Sequence, residues 1–205
     1  MPQMRVLMVC GRQAVLLRRR CTASQRGGPD SRGMRAVSTR EMPAFPHIAS
    51  RGQSDGQQRG GPRIRVQLLY YPMADPHGDT PSREQFASGY LLTRAALEWY
   101  WRQYTDDECE LAEPTASPLR ATTADLAGLP PALVVTAEAD VVRDEKEQYA
   151  CLLRQEGVPV IAVRYLGTVH DFASLCPLWV VGQSAPGGCD QAGGGFLRDA
   201  LADRR

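Results

Sequence analysis

Two residues of this chain are placed to share a proton. Asp140 follows an apolar run at residues 132–137 (ALVVTA) by three positions, and His170 follows a second run at 158–165 (VPVIAVRY) by five. A neutral imidazole near its ordinary pKa can take a proton from a hydroxyl nucleophile, and a carboxylate on its other nitrogen fixes the tautomer and stabilises the imidazolium. The pair therefore offers an acid orienting a base. Spacing alone leaves open the plainer alternative of a solvated Asp and a surface His. A hydroxyl partner is sought in Gly52-Gln53-Ser54-Asp55-Gly56, the only G-x-S-x-G match in the sequence. A serine of that kind needs a strand before it and a helix after it. Residues 43–50 (PAFPHIAS) contain two prolines, and only five residues separate Gly56 from Pro62, so Ser54 reads first as coil and only then as a nucleophile.

The elements between these residues must bring them together. Residues 132–137 and 158–165 have the continuous apolar character of buried strands. Between them Asp144-x-x-Glu147 resembles a capping box, Tyr149, Leu152 and Leu153 form a helical stripe, and Gly157 suits the residue just past a helix end. A helix of about 12 residues spans about 18 Å, close to the length of the strand it must retrace, so the order β-α-β suits a parallel pair. Neighbouring strands stand about 4.8 Å apart and would carry both side chains to one rim, the carboxyl ends, where open parallel sheets bind ligands.

Upstream, residues 64–71 (IRVQLLYY) read as a further strand closed by Pro72. Residues 91–104 pattern as an amphipathic helix with Leu92, Ala95, Ala96, Trp99 and Tyr100 on one face and Arg94, Glu98 and Arg102 turned to solvent. A breaker-rich connection covers 113–131, and Phe196, Leu197, Ala200 and Leu201 pattern as a terminal helix. Residues 1–58 show little sustained periodicity and divide off as a low-structure segment from a domain at 59–205.

Composition removes several function classes. The net charge is +1 with 23% charged residues, which favours neither nucleic acid nor an anionic membrane. The six cysteines include no C-x-x-C pair, which speaks against a zinc site and for a reducing, cytoplasmic setting. No apolar run approaches the roughly 20 residues of a membrane span. The first 29 residues hold six Arg and no acid, the composition of an import peptide, so organelle import is the alternative localisation. Asp75, His77 and Asp79 alternate as metal ligands can, but Pro76 and Gly78 make a turn the better account, with Asp75 an alternative acid for His170. No metal is expected. Trp99, Tyr100, Trp101 and Tyr104 suit helix packing or a cap better than a base-stacking platform, and Cys176 suits a buried, inert thiol.

The segments LPPALVVTAEADVVRDE at 129–145 and YLGTVHDF at 165–172, with Ser117-Pro118-Leu119 and Gly89-Tyr90-Leu91-Leu92, resemble the hormone-sensitive-lipase-like family of α/β-hydrolases. The likeness runs over about residues 59–178 and resumes near 196–201. It implies a partial α/β-hydrolase fold, a mostly parallel sheet flanked by helices with a poorly structured N-terminal segment. The implied activity is serine carboxylester hydrolysis of short to medium acyl esters through an acyl-enzyme, without cofactor. Asp140 would be the acid, His170 the general base, and a serine on a G-D-S-A-G-type elbow the nucleophile, with an H-G-G-G loop at the oxyanion. Neither of those two motifs occurs here, so the resemblance implies a catalytically incomplete relative. The rival expectation is a non-catalytic remnant acting through protein–protein association, with the strand at 158–165 near a sheet edge that invites a homodimer.

Overall fold

The computed structural model describes residues 5–10, 13–19, 34–37, 64–114, 116–173 and 195–196. They build one sheet in the order β3-β2-β1-β4-β5-β6, with β1 Arg5–Cys10, β2 Gln13–Arg19, β3 Met34–Val37, β4 Val66–Tyr70, β5 Ala132–Ala139 and β6 Val160–Val169. β1, β4, β5 and β6 run parallel to one another, and β2 and β3 add an antiparallel margin beyond β1. The helices are α1 Pro81–Gln85, α2 Arg94–Tyr104, α3 Glu108–Ala112, α4 Thr123–Leu126 and α5 Arg143–Gln155, with a 3-10 turn at Pro118–Arg120. Within residues 1–58, where periodicity suggests little structure, the described residues are the three short strands β1 to β3. β1 covers the apolar stretch Val6 to Cys10 and pairs with β4 from Val6 opposite Val66 to Cys10 opposite Tyr70.

The central strands bury both faces, which is why their sequences are continuously apolar. The strand period of two sends Leu69, Ala132 and Val134 to one face, where Tyr149, Ala150 and Leu153 of α5 cover them with Leu126 and Leu129. Val66, Leu68, Tyr70, Leu133, Val135 and Ala137 go to the other face, against Phe172 and Phe196. α5 ends as expected: Gly157 adopts φ +79° and its N–H donates to the Arg154 carbonyl at 3.1 Å.

Two local expectations are corrected. Asp144 and Glu147 form no capping box. Val142 is the N-cap residue of α5, while Asp144 accepts the Ser82 N–H at 2.8 Å and its own N–H donates to the Ser82 hydroxyl at 3.1 Å, so α1 caps α5 from outside. In α2 the buried face is Leu97 and Trp101, and Trp99 is 52% exposed. Three successive aromatics satisfy a stripe in more than one rotation, and Met73, Phe86, Val141 and Val142 select the one that buries Trp101. The helix begins where the Thr93 hydroxyl accepts the Ala96 N–H at 3.1 Å.

Candidate functional site

Asp140 and His170 meet at the carboxyl rim of the sheet. Both strands run further than their apolar cores suggest, so Asp140 directly follows β5 and His170 directly follows β6. An irregular register between Ala137 and Ala139 carries the extension, and the Gly167 N–H donates to the Glu138 carboxylate at 2.5 Å. The chain then turns sharply: the Phe172 N–H donates to the Val169 carbonyl at 3.2 Å, with His170 and Asp171 at the centre of the turn. Asp171 has φ +63°, a left-handed conformation that Asp tolerates better than most side chains.

His170 Nδ1 lies 2.9 Å from Asp140 Oδ2. The carboxyl group is fully buried, and its other oxygen, Oδ1, accepts the Val142 N–H at 3.0 Å. Burial pushes the Asp140 carboxyl upward, but the Lys146 ammonium, and after it His170, outweigh burial and hold it well below the usual carboxylate range. An ionised carboxylate can only accept, so Nδ1 carries the proton and the neutral ring keeps its lone pair on Nε2. Among the described residues nothing hydrogen-bonds Nε2. The arrangement can therefore take a proton at Nε2 and stabilise the cation from behind.

Three supports escape a reading by spacing. Lys146, fully buried in the first turn of α5, places Nζ 2.5 Å from the same Asp140 Oδ2. Tyr71, just past β4, sets its ring 5.4 Å from the His170 ring and 5.2 Å from that of Phe172. Glu145, also fully buried, accepts the Ala74 N–H at 2.9 Å and Arg83 Nη2 at 2.8 Å, which ties the loop after β4 to α5. The signals that point to them are a lone lysine in an Arg-rich chain and charged residues inside an otherwise buried helix face.

Asp75 does not approach His170 as an alternative acid. Its Oδ1 accepts the His77 N–H at 2.9 Å in a turn of its own, and His77 Nε2 reaches Glu108 on the surface at 3.0 Å. Ser54 and Cys176 lie outside the described residues, as do Leu197, Ala200 and Leu201 of the expected terminal helix.

A family model described as alpha/beta hydrolase fold matches residues 48–174, well over half of the chain. A carboxylic ester hydrolase of Mycobacterium tuberculosis is 37% identical over 75% of this chain and 39% of its own length. An ethyl acetate hydrolase of Pseudomonas putida is 37% identical over 54% of this chain and 34% of its own. Among solved structures, a thermostable esterase from Pseudomonas putida superposes with a TM-score of 0.63 at 45% identity, over 68% of this chain and 43% of that one. The chain thus spans between a third and two fifths of the length of the first curated relatives it matches, at 35%, 34% and 39%. With a parallel sheet flanked by helices and this match, the chain belongs to the α/β-hydrolase fold family, in its hormone-sensitive-lipase-like branch.

Proposed function

We propose that Asp140 and His170 are the acid and general base of a serine carboxylester hydrolase acting on small esters of short to medium acyl chains. The observation that carries this reading is the buried Nδ1–Oδ2 contact of 2.9 Å, with Nε2 left unbonded among the described residues. Relatives named as ester hydrolases support the substrate class. In the reaction, Nε2 takes the proton of a serine hydroxyl as its oxygen attacks the ester carbonyl. Collapse of the tetrahedral intermediate breaks the C–O bond to the alcohol, which leaves with that proton, and water then releases the acid by the same route. Ser54, in the only G-x-S-x-G of the chain, is the serine to test. No cofactor enters these steps, and we place them in the cytoplasm.

Turnover of p-nitrophenyl butyrate, abolished by His170→Ala, and fluorophosphonate labelling of Ser54 are expected. Folded protein that labels at no serine sinks the catalytic reading. A second reading is favoured by β6, which ends the sheet among the described residues and exposes Ile161 and Leu166. It is a non-catalytic member of the family that associates with a second copy along β6. Light scattering should then show dimers that Ile161→Lys disrupts, and monomer at every concentration would refute it.

A further inference from the structure

The chain has one lysine, and it is buried. Arginine supplies the other positive side chains, yet Lys146 is 0% exposed at the centre of the candidate site. A buried ammonium is costly unless paired. Its partner is Asp140 Oδ2 at 2.5 Å, the oxygen that also faces His170 Nδ1 at 2.9 Å. The second carboxylate oxygen is occupied by the Val142 N–H, so two cationic or potentially cationic groups compete for one acceptor atom. The Tyr71 ring lies 5.7 Å below Nζ.

The surrounding charges do not dissolve that competition. Glu145, the preceding residue of α5, is already bound by Arg83 of α1 and by the Ala74 N–H. Asp171, in the histidine turn, is a weaker attraction for Lys146 than either Asp140 or Glu145. Burial lowers the proton affinity of Lys146 from its ordinary value, and those three carboxylates, Asp140 foremost, oppose the loss. The ion pair with Asp140 at 2.5 Å nevertheless sets an ammonium beside the imidazole.

We propose that Lys146 is a positioning residue of the Asp140–His170 pair: its ammonium anchors the shared carboxylate oxygen and disfavours a proton on His170 Nε2. The proposal rests on reading Asp140 and His170 as acid and base. Like charges sharing one acceptor raise each other's cost of ionisation. A general base must be unprotonated before it acts, and an ammonium on Asp140 Oδ2 opposes a second cation on the same oxygen. Lys146 also restrains the carboxylate that Nδ1 meets, because Oδ1 is held by the Val142 N–H and Oδ2 by Nζ.

A single lysine makes the test direct. Labelling with ¹⁵N-lysine yields one Nζ signal, and the three histidines are told apart by His47→Gln and His77→Gln. In the parent protein the Nζ signal is expected to show an inflection at the pH where His170 titrates. In Lys146→Gln the His170 midpoint should move up by about one pH unit, and the acid limb of kcat/KM for p-nitrophenyl butyrate with it. An Nζ signal that ignores the His170 transition, or a Lys146→Gln protein that loses thermal stability with an unmoved midpoint, overturns the proposal. If Lys146→Gln does not fold, the parent label decides. The magnetic resonance readout needs no turnover: coupled titration without hydrolysis would sink the hydrolase reading alone, and hydrolysis with an unmoved midpoint would sink this one alone.

Discussion

The ring of Tyr71 stands 5.4 Å from the imidazole of His170 while its hydroxyl accepts the Ala173 N–H at 2.6 Å, so one side chain from the end of β4 holds the histidine turn at two points. Tyr71 does this from a left-handed backbone, φ +47°, a conformation that costs a non-glycine residue about 1–3 kcal/mol. Strain of that kind persists only where surrounding packing enforces it. Tyr71→Phe keeps the ring and removes the acceptor for Ala173. The expected loss is about 1 kcal/mol in urea unfolding, with a fall in ester turnover. Unchanged turnover and stability would show that ring packing alone holds the turn.

Asp140→Asn should act on chemistry and stability together. It removes the negative charge that Lys146 and His170 share and presents an amide that can favour the wrong imidazole tautomer. A loss of about 10³- to 10⁴-fold in kcat is expected from the tautomer effect. Leaving the Lys146 ammonium buried without its carboxylate should cost about 3–5 kcal/mol, measured by urea unfolding at neutral pH. A stability loss below about 1 kcal/mol would mean that Lys146 sheds its proton or its burial in the variant.

Acid stability follows from the same residue. The folded state holds the Asp140 carboxyl below its ordinary value of 3.8, so native protein binds fewer protons there than unfolded protein. Its contribution is complete above that value and disappears as pH falls through the depressed folded value. Glu145 works the other way: burial raises its carboxyl above the ordinary 4.5, so its contribution is present below that pH and lost as pH rises through the folded value. The urea midpoint of the parent should therefore fall more steeply than that of Asp140→Asn below about pH 4. Parallel curves would show that Asp140 does not carry the acid transition.

Arg83 of α1 ties the loop after β4 to α5. It donates to the Pro76 carbonyl at 3.0 Å, to the Asp75 carbonyl, and to the Glu145 carboxylate at 2.8 Å, with its side chain 6% exposed. Arg83→Met leaves Glu145 as a buried carboxylate without its cation. Destabilisation of about 3–5 kcal/mol is expected by chemical unfolding. The double variant Arg83→Met/Glu145→Gln should recover part of it, and a double variant no better than the single one would contradict the pairing.

Much of the frame that holds the site was legible. ALVVTA and VPVIAVRY announce buried strands because a strand covered on both faces has no polar alternation to show, and Gly157 announces a helix end because it takes a left-handed φ without a Cβ penalty. With a helix of matching length between them, the parallel pairing of β5 and β6 follows, and with it the common rim for Asp140 and His170. The Asp144-x-x-Glu147 spacing misled because a capping box is a local pattern, whereas Ser82 of another helix takes both the N–H and the carboxylate of Asp144.

By itself, then, the sequence determined the boundaries of β4, β5, β6, α2 and α5 to within a few residues, and which rim carries Asp140 and His170. Only the tertiary structure decided where long side chains end: Lys146 on Asp140, Arg83 on Glu145, the Tyr71 hydroxyl under Ala173, and Trp101 rather than Trp99 in the core. The physical reason is range. Backbone period and local propensity are written within a few residues, while the partner of a flexible charged or aromatic side chain is whatever distant element the fold sets opposite it.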